Sequence, residues 1–416
     1  MQMHFKLKQI VRISVAVIGV GIANTHAADL PVVHPSEVGM SADKLETVGE
    51  IVQDRIAKKR LAGASVMVAR NGQVCFFETY GKMDIERDKA MKKDTIFRIY
   101  SMSKAITTTA VMQLVEQGNI SPHDPIGMYL PDMKEMKVST EDGIKSTKGP
   151  ITVAQLMTHT AGLIYSADGE YGKLIKKANA MDRNNTLQQM TEVMGKTPLM
   201  FEPGTDWAYG TSIDVLGRLV EVVSEQRFDE YLKVHILSPL DMSDTAFYVP
   251  KEKLDRFAAN YAPGGHLIDD PAKSRYLIKP NLSSGGGGLV GTISDYMKFL
   301  LALRNGGELK GKRILRASTV NLMIQNHVPK AVGWIKFGKS IRDGVGYGYG
   351  FSVCVEPSKF DPCRKVGDYG WGGAASTHYW SSPKDDLVVV TMEQTMPYSF
   401  MLENALKPVI SAAIEK

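Results

Sequence analysis

Ser101-Met102-Ser103-Lys104 sets a hydroxyl and an amine three residues apart, at what reads as the first turn of a helix. Positions i and i+3 share a helix face, so the Lys104 amine comes within hydrogen-bond reach of the Ser101 hydroxyl and can serve as its base. A helix start also offers free N–H groups and the positive end of the helix dipole. Both favour the negative charge that develops when a carbonyl is attacked there. S-x-x-K alone is a common pattern, so partners must come from elsewhere in the chain. Tyr209, in Trp207-Ala208-Tyr209-Gly210-Thr211, precedes an apolar helix and can act as a base beside an ammonium such as that of Lys104. The alternative is a buried aromatic with a satisfied hydroxyl. In Tyr369-Gly370-Trp371-Gly372-Gly373-Ala374-Ala375 the glycines let a substrate approach the backbone, where the Ala374 N–H can join that of Ser101 in an oxyanion hole. The alternative there is a strand bulge.

The elements holding these residues follow from turn chemistry and periodicity. Lys92-Lys93-Asp94-Thr95 is a polar turn, Ile96 to Tyr100 is short and β-like, and Ala105 to Glu116 is rich in helix formers before Gly118, so Ser101 falls at a strand-to-helix junction. Upstream, Ser41 caps a helix with Leu45, Val48, Val52 and Ile56 on one face, and Ala64 to Arg70 and Gln73 to Tyr80 form a hairpin about Asn71-Gly72. From about Asn119 to Leu282 helical patterns dominate, as in Ser212 to Ser224 and Phe228 to Leu237. Strand patterns return in Gly346 to Val355, Ala374 to Trp380 and Leu387 to Glu393, the last two joined at Pro383-Lys384-Asp385-Asp386. The expected fold is α+β: an antiparallel sheet flanked by helices and built from both chain ends (28–118 and 283–416), with an inserted all-helical domain (119–282) and a cleft between them.

The chain of 416 residues is 44% hydrophobic and 23% charged, which suits a globular protein of one large or two smaller domains. Residues 1–27 read as a secretory signal: Lys6, Lys8 and Arg12 precede the uncharged run Ile13 to Ala23, and Thr25-His26-Ala27 offers small residues before a cut. The run is shorter than the ~20 residues a membrane helix needs, and no cysteine follows the cut, so no stable anchor is expected and the protein is read as periplasmic or secreted. Removing the segment takes three positive charges and lowers the formal net charge from +5 to +2. With no basic cluster interleaved with aromatics, nucleic-acid binding has no support. Cys354 and Cys363 are close enough in sequence to bridge in an oxidising compartment or to stay as thiols, and Cys75 reads as a buried hydrophobe.

Gly333-Trp334-Ile335-Lys336-Phe337-Gly338-Lys339-Ser340 matches the phosphate-loop pattern G-x-x-x-x-G-K-[ST]. The strand before it and the helix after it are missing, and its bulky residues suit a packed loop. The nucleophile elbow G-x-S-x-G is absent. The histidines show no metal spacing, so His159 and His378 read as structural, with no metal and no cofactor implied. Gly285 to Gly288 reads as a tight turn against the sheet. Tyr165 and Ser166 are candidates to line the cleft.

In this order and spacing, Ser101-x-x-Lys104, Tyr209 and Trp371-Gly372-Gly373 resemble the three motifs of the serine β-lactamase and penicillin-binding-protein superfamily, nearest to class C β-lactamases and family VIII carboxylesterases. Leu156 to Leu163, Phe201-Glu202-Pro203-Gly204 and Ser284 to Leu289 extend the likeness over nearly all of the chain beyond the signal. The resemblance implies an α/β sandwich with a helical domain. It also implies acylation of Ser101, proton transfers shared by Lys104 and Tyr209, an oxyanion hole of the Ser101 and Ala374 N–H groups, and hydrolysis of the acyl-enzyme by water. Two departures bear on the substrate: Thr211 stands where class C enzymes carry an asparagine, and Trp371 stands where they carry a lysine for the substrate carboxylate. The expectation is an exported hydrolase of short-chain carboxylic esters without an anchoring carboxylate, with Trp371, Gly372, Gly373 and Thr211 beside the substrate. The alternatives are a β-lactamase or D-Ala-D-Ala carboxypeptidase, an acyltransferase, and a non-catalytic acyl-sensing or peptidoglycan-binding protein.

Overall fold

The computed structural model describes residues 30–415, so the expected signal segment lies outside the described residues. No helix among these is long and apolar enough to cross a membrane. Strands β1 (Gly63–Arg70), β2 (Gln73–Asp84) and β3 (Lys89–Ala90) come from one end of the chain. Strands β4 (Val345–Tyr347), β5 (Ser352–Cys354), β6 (Tyr369–Gly373), β7 (Thr377–Ser382) and β8 (Leu387–Glu393) come from the other. They form one antiparallel sheet in the order β4-β5-β6-β7-β8-β1-β2-β3, joined where β8 pairs with β1 from Ala64↔Glu393 to Arg70↔Leu387.

Both faces of the sheet are covered, which is why β8 reads as an apolar run rather than an alternation. Val388, Val390 and Met392 face one core with Met67 and Ala69, while Leu387 and Val389 face a second with Ala64, Val66 and Val68. Helices α1 (Ala42–Ala57) and, near the other chain end, α5 (Met401–Ala412) cover the second face with Leu45, Val48, Val52, Leu402, Leu406 and Ile410. The first core takes helix α2 (Ser103–Glu116), α3 (Ser212–Ser224) and α4 (Ile293–Arg304), among which α2 is buried almost throughout. Ser41 caps α1 by accepting from the Lys44 N–H at 3.4 Å.

Three expectations are corrected. The 119–282 segment is not wholly helical: it carries the hairpins Lys137–Thr140 with Gly143–Ser146 and Asn260–Ala262 with His266–Asp269. These strands are only three or four residues long and all but Asn260–Ala262 are largely exposed, so they leave little period-2 pattern to read. The expected strand Gly346 to Val355 is the hairpin β4-β5, turned where the Thr108 hydroxyl of α2 donates to the Tyr349 carbonyl at 2.9 Å. The expected strand Ala374 to Trp380 begins only at Thr377, because Ala374 to Ser376 is the turn into β7, and Tyr369 to Gly373 before it is itself strand β6.

Candidate active site

Ser101 lies in the 3-10 turn Tyr100–Met102 that runs directly into α2. Tyr100 adopts φ 40°, a left-handed conformation that costs a non-glycine residue about 1 to 3 kcal/mol. The turn is held by the Ser103 hydroxyl, which donates to the Tyr100 carbonyl at 2.6 Å. One helical turn on, the buried Lys104 ammonium donates to Ser101 Oγ at 3.3 Å, to Tyr165 Oη at 3.2 Å and to the Gly286 carbonyl at 2.5 Å. Tyr209 arrives from the loop before α3, and its hydroxyl donates to Ser101 Oγ at 2.6 Å. Trp371 Nε1 donates to the Tyr209 hydroxyl at 3.3 Å, linking the third stretch to the first two.

An aromatic nest fixes the Tyr209 ring: Trp371 and Phe337 lie at 5.5 Å, and His159 at 4.9 Å. The Lys104 ammonium sits 4.6 Å over the same ring. His159 is fully enclosed, and burial, then the Lys104 charge, push its pKa well below the usual histidine range, so it is neutral and supports Tyr209 by packing. His378, a residue of β7, is likewise buried, with Glu403 beside it at 3.4 Å.

Strand β6 comes closest to the nucleophile at Gly373. A Cβ there would stand 2.4 Å from the Ile99 carbonyl, so only glycine lets the strand approach the chain just before Ser101. That approach brings the Ala374 N–H beside the Ser101 turn, and neither N–H finds a backbone acceptor outside its own helix or strand. A cavity of about 470 Å³ opens onto Ser101, Tyr209, Trp371, Gly372, Gly373 and Ala374.

The 285–288 turn has a more direct part than a bend against the sheet, since the Gly286 carbonyl is the shortest acceptor of Lys104. A Cβ on Gly286 would lie 2.4 Å from Asp214 Oδ2, which accounts for the glycine. Asp214, buried in the first turn of α3, accepts from Ser284 Oγ at 2.5 Å, the Gly286 N–H at 3.0 Å and Tyr165 Oη at 3.4 Å. Burial raises its pKa, opposed by Lys104 and these hydrogen bonds. Tyr165 is 39% exposed overall, yet its hydroxyl end is enclosed between Lys104 and Asp214, and burial followed by the Asp214 charge pushes its pKa well up. Tyr165 therefore donates to Asp214 as a neutral phenol. Asp214 belongs to no motif singled out in the sequence; its signal is a carboxylate among the apolar residues Ile213, Val215 and Leu216 that open the helix, five residues after Tyr209.

Ser166 and Thr211, expected beside the substrate, instead line a second cavity of about 320 Å³ with Leu163, Ile164 and Tyr171. Tyr209 turns toward Ser101, while Thr211 starts α3 and is buried on the other side. Cys354 and Cys363 are free thiols, as is the buried Cys75, and the Cys354 thiol donates to the Glu356 carbonyl at 3.3 Å. The phosphate-loop look-alike is a hairpin, Lys336–Phe337 with Ser340–Ile341, whose Phe337 packs on Trp207, Tyr209 and Trp371.

A family model described as Beta-lactamase matches residues 48–408, a span holding every residue of the site. The chain belongs to the beta-lactamase family. Esterase EstB of Burkholderia gladioli is 27% identical over 369 residues, covering 83% of this chain and 89% of its own. Monacolin J acid methylbutanoyltransferase of Aspergillus terreus is 24% identical over 395 residues, covering 87% and 94%. Among solved structures, EstCE1, described as a hydrolase with promiscuous acyltransferase activity, superposes with a TM-score of 0.77 at 26% identity, covering 88% of this chain and 98% of its own. Family and relatives together make this beta-lactamase-family protein a serine hydrolase.

Proposed function

We propose that the protein is an exported esterase that cleaves short-chain carboxylic esters through an acyl-enzyme on Ser101. The observation that carries this reading is the convergence of Tyr209 Oη at 2.6 Å and Lys104 Nζ at 3.3 Å on Ser101 Oγ, at the mouth of a cavity walled by Trp371. In acylation Tyr209 reacts as the phenolate beside the Lys104 ammonium, its own proton having first left to solvent: Ser101 Oγ bonds to the ester carbonyl carbon as the Ser101 proton passes to Tyr209 Oη. The Ser101 and Ala374 N–H groups receive the oxyanion. The carbon–oxygen bond to the alcohol then breaks, and Tyr209 returns the proton to the departing oxygen. Water repeats the sequence on the acyl-enzyme, releasing the acid and restoring the Ser101 hydroxyl.

The ester preference is supported by Trp371, which puts an apolar indole where a β-lactam or D-Ala peptide would want an ammonium, and by the esterases EstB and EstCE1 among the relatives. Lys6, Lys8, Arg12 and the run Ile13 to Ala23 support export. Acyl transfer to an alcohol is a second reading, favoured by the methylbutanoyltransferase relative, and it differs only in the acceptor that attacks the acyl-enzyme. The test compares kcat/KM for p-nitrophenyl butyrate, a chromogenic cephalosporin and a D-Ala-D-Ala peptide, with and without an added alcohol. The ester should be turned over most efficiently; a preference for the cephalosporin or the peptide overturns the proposal, and butyryl transfer to the alcohol outrunning hydrolysis selects the second reading.

A further inference from the structure

Trp371 leaves the third motif without a cation, yet the cavity is not without one. Arg342 follows the Lys336–Phe337 and Ser340–Ile341 hairpin, where its N–H donates to the Ile335 carbonyl at 2.9 Å and its carbonyl accepts from Val345 at 3.0 Å. Its guanidinium enters the Ser101 cavity among four aromatic rings: Phe337 at 4.2 Å, Phe360 at 4.7 Å, Phe400 at 5.1 Å and Trp371 at 5.7 Å. No carboxylate of the described residues lies within ion-pair distance of it, and its side chain makes no hydrogen bond to them.

The other charges of the cavity are engaged. Lys407 pairs with Asp361 and, at 2.5 Å, with Glu403, so both cavity carboxylates are taken by one ammonium. Arg364 donates to Ser352 Oγ at 3.0 Å, to the Ser352 carbonyl at 3.3 Å and to the Asp368 carbonyl at 2.9 Å. The lining thus holds the cations Arg342, Arg364 and Lys407 against the carboxylates Asp361 and Glu403, one positive charge in excess, and of the three Arg342 is the one whose side chain has no hydrogen-bond partner among the described residues. A largely enclosed guanidinium with no counter-ion carries a desolvation penalty that a bound anion offsets. Aromatic faces on its flanks leave the N–H edge for a planar acceptor, the geometry of a bidentate carboxylate. Asp361 and Glu403 oppose a dianion in the same space, which favours a monoanionic carboxylate over a phosphate.

We propose that Arg342 anchors a carboxylate on the substrate, so that the ester cleaved at Ser101 carries a free carboxylate on its acyl or its alcohol side. This rests on Ser101 acting as an esterase nucleophile. It reverses the expectation of an ester without an anchoring carboxylate: the cation comes from a hairpin rather than from the third motif.

Two substrate pairs test it. Mono-p-nitrophenyl glutarate against p-nitrophenyl valerate places the carboxylate on the acyl side, and 4-(carboxymethyl)phenyl butyrate against 4-methylphenyl butyrate places it on the alcohol side. For each pair the ratio of kcat/KM, charged over neutral, is measured in the wild type, Arg342→Gln and Arg342→Lys. The wild type should favour the charged member of one pair, and Arg342→Gln should lower that ratio by about 10- to 100-fold, as expected for a lost charge-assisted hydrogen bond, with Arg342→Lys between the two. The ratio is internal to each variant, so partial loss of folded protein cancels. Should Arg342→Gln not fold, the wild-type ratios alone decide. Turnover of the neutral esters with both wild-type ratios near or below unity, or a ratio that Arg342→Gln leaves unchanged, overturns the Arg342 anchor and leaves the esterase reading standing. Failure of the wild type to hydrolyse any of the four esters overturns the esterase reading and, with it, this proposal.

Discussion

Tyr209→Phe removes one oxygen from the site and almost nothing else. The hydroxyl is the partner of Ser101 Oγ at 2.6 Å and the acceptor of Trp371 Nε1 at 3.3 Å, whereas the ring keeps its contacts with Trp371, Phe337 and His159. The stability cost is therefore that of an unpaired indole N–H and a lost hydroxyl contact, about 1 kcal/mol. The catalytic cost is far larger if Tyr209 carries the proton, since general acid–base transfer contributes about 10²- to 10⁴-fold, or roughly 3 to 5 kcal/mol of barrier. Steady-state hydrolysis of p-nitrophenyl butyrate should thus show kcat reduced by at least about 100-fold with KM changed little, while the thermal midpoint falls by only a few degrees. The paired measurement matters because a misfolded variant loses both. A folded Tyr209→Phe protein with kcat within about threefold of wild type would refute the assignment and leave Lys104, at 3.3 Å from Ser101 Oγ, as the base.

Two further predictions concern the frame. Gly373→Ala sets a methyl 2.4 Å from the Ile99 carbonyl, so β6 must move away from the Ser101 turn; kcat should fall by about 10²-fold as the Ala374 N–H shifts, with about 1 to 3 kcal/mol lost in stability by denaturant titration. Unchanged ester kinetics would remove Ala374 from the oxyanion site. Glu393, buried in β8, has its pKa raised from 4.5 to about 8 by burial, so the folded state binds more protons than the unfolded one between those values. Stability from this group is full below the unfolded value and is lost as pH rises toward about 8. The advantage of Glu393→Gln over wild type should therefore grow by roughly 1 kcal/mol per pH unit across that window and level off above it. A stability difference independent of pH would show that Glu393 is not protonated in the fold.

The features legible in the amino-acid sequence are those that depend on neighbours along the chain. The Ser101–Lys104 spacing, the Asn71-Gly72 hairpin and the Ser41 cap are local devices, and each recurs at the expected residues. Tyr209 and Trp371 lie 108 and 270 positions from Ser101, and only the family resemblance joins them to it. Asp214 is masked by its apolar neighbours, although an acid in a helix with so little exposed face needs donors. Arg342 carries no local signal because three of the four rings about it, those of Phe360, Trp371 and Phe400, come from other segments, and the hairpin before it stands out in sequence only as a false phosphate loop. The 137–146 hairpin has Val138 as its one buried residue, too little for a period to register.

The chemistry proposed for this site is covalent, with the acyl group passing through Ser101 Oγ. Intact-protein mass spectrometry after rapid acid quench of a p-nitrophenyl butyrate reaction, followed by peptide mapping, tests it directly. One butyryl group is expected on the peptide containing Ser101 and none in Ser101→Ala, together with loss of turnover in that variant. A butyryl group on another residue, or full ester hydrolysis by Ser101→Ala, would contradict it.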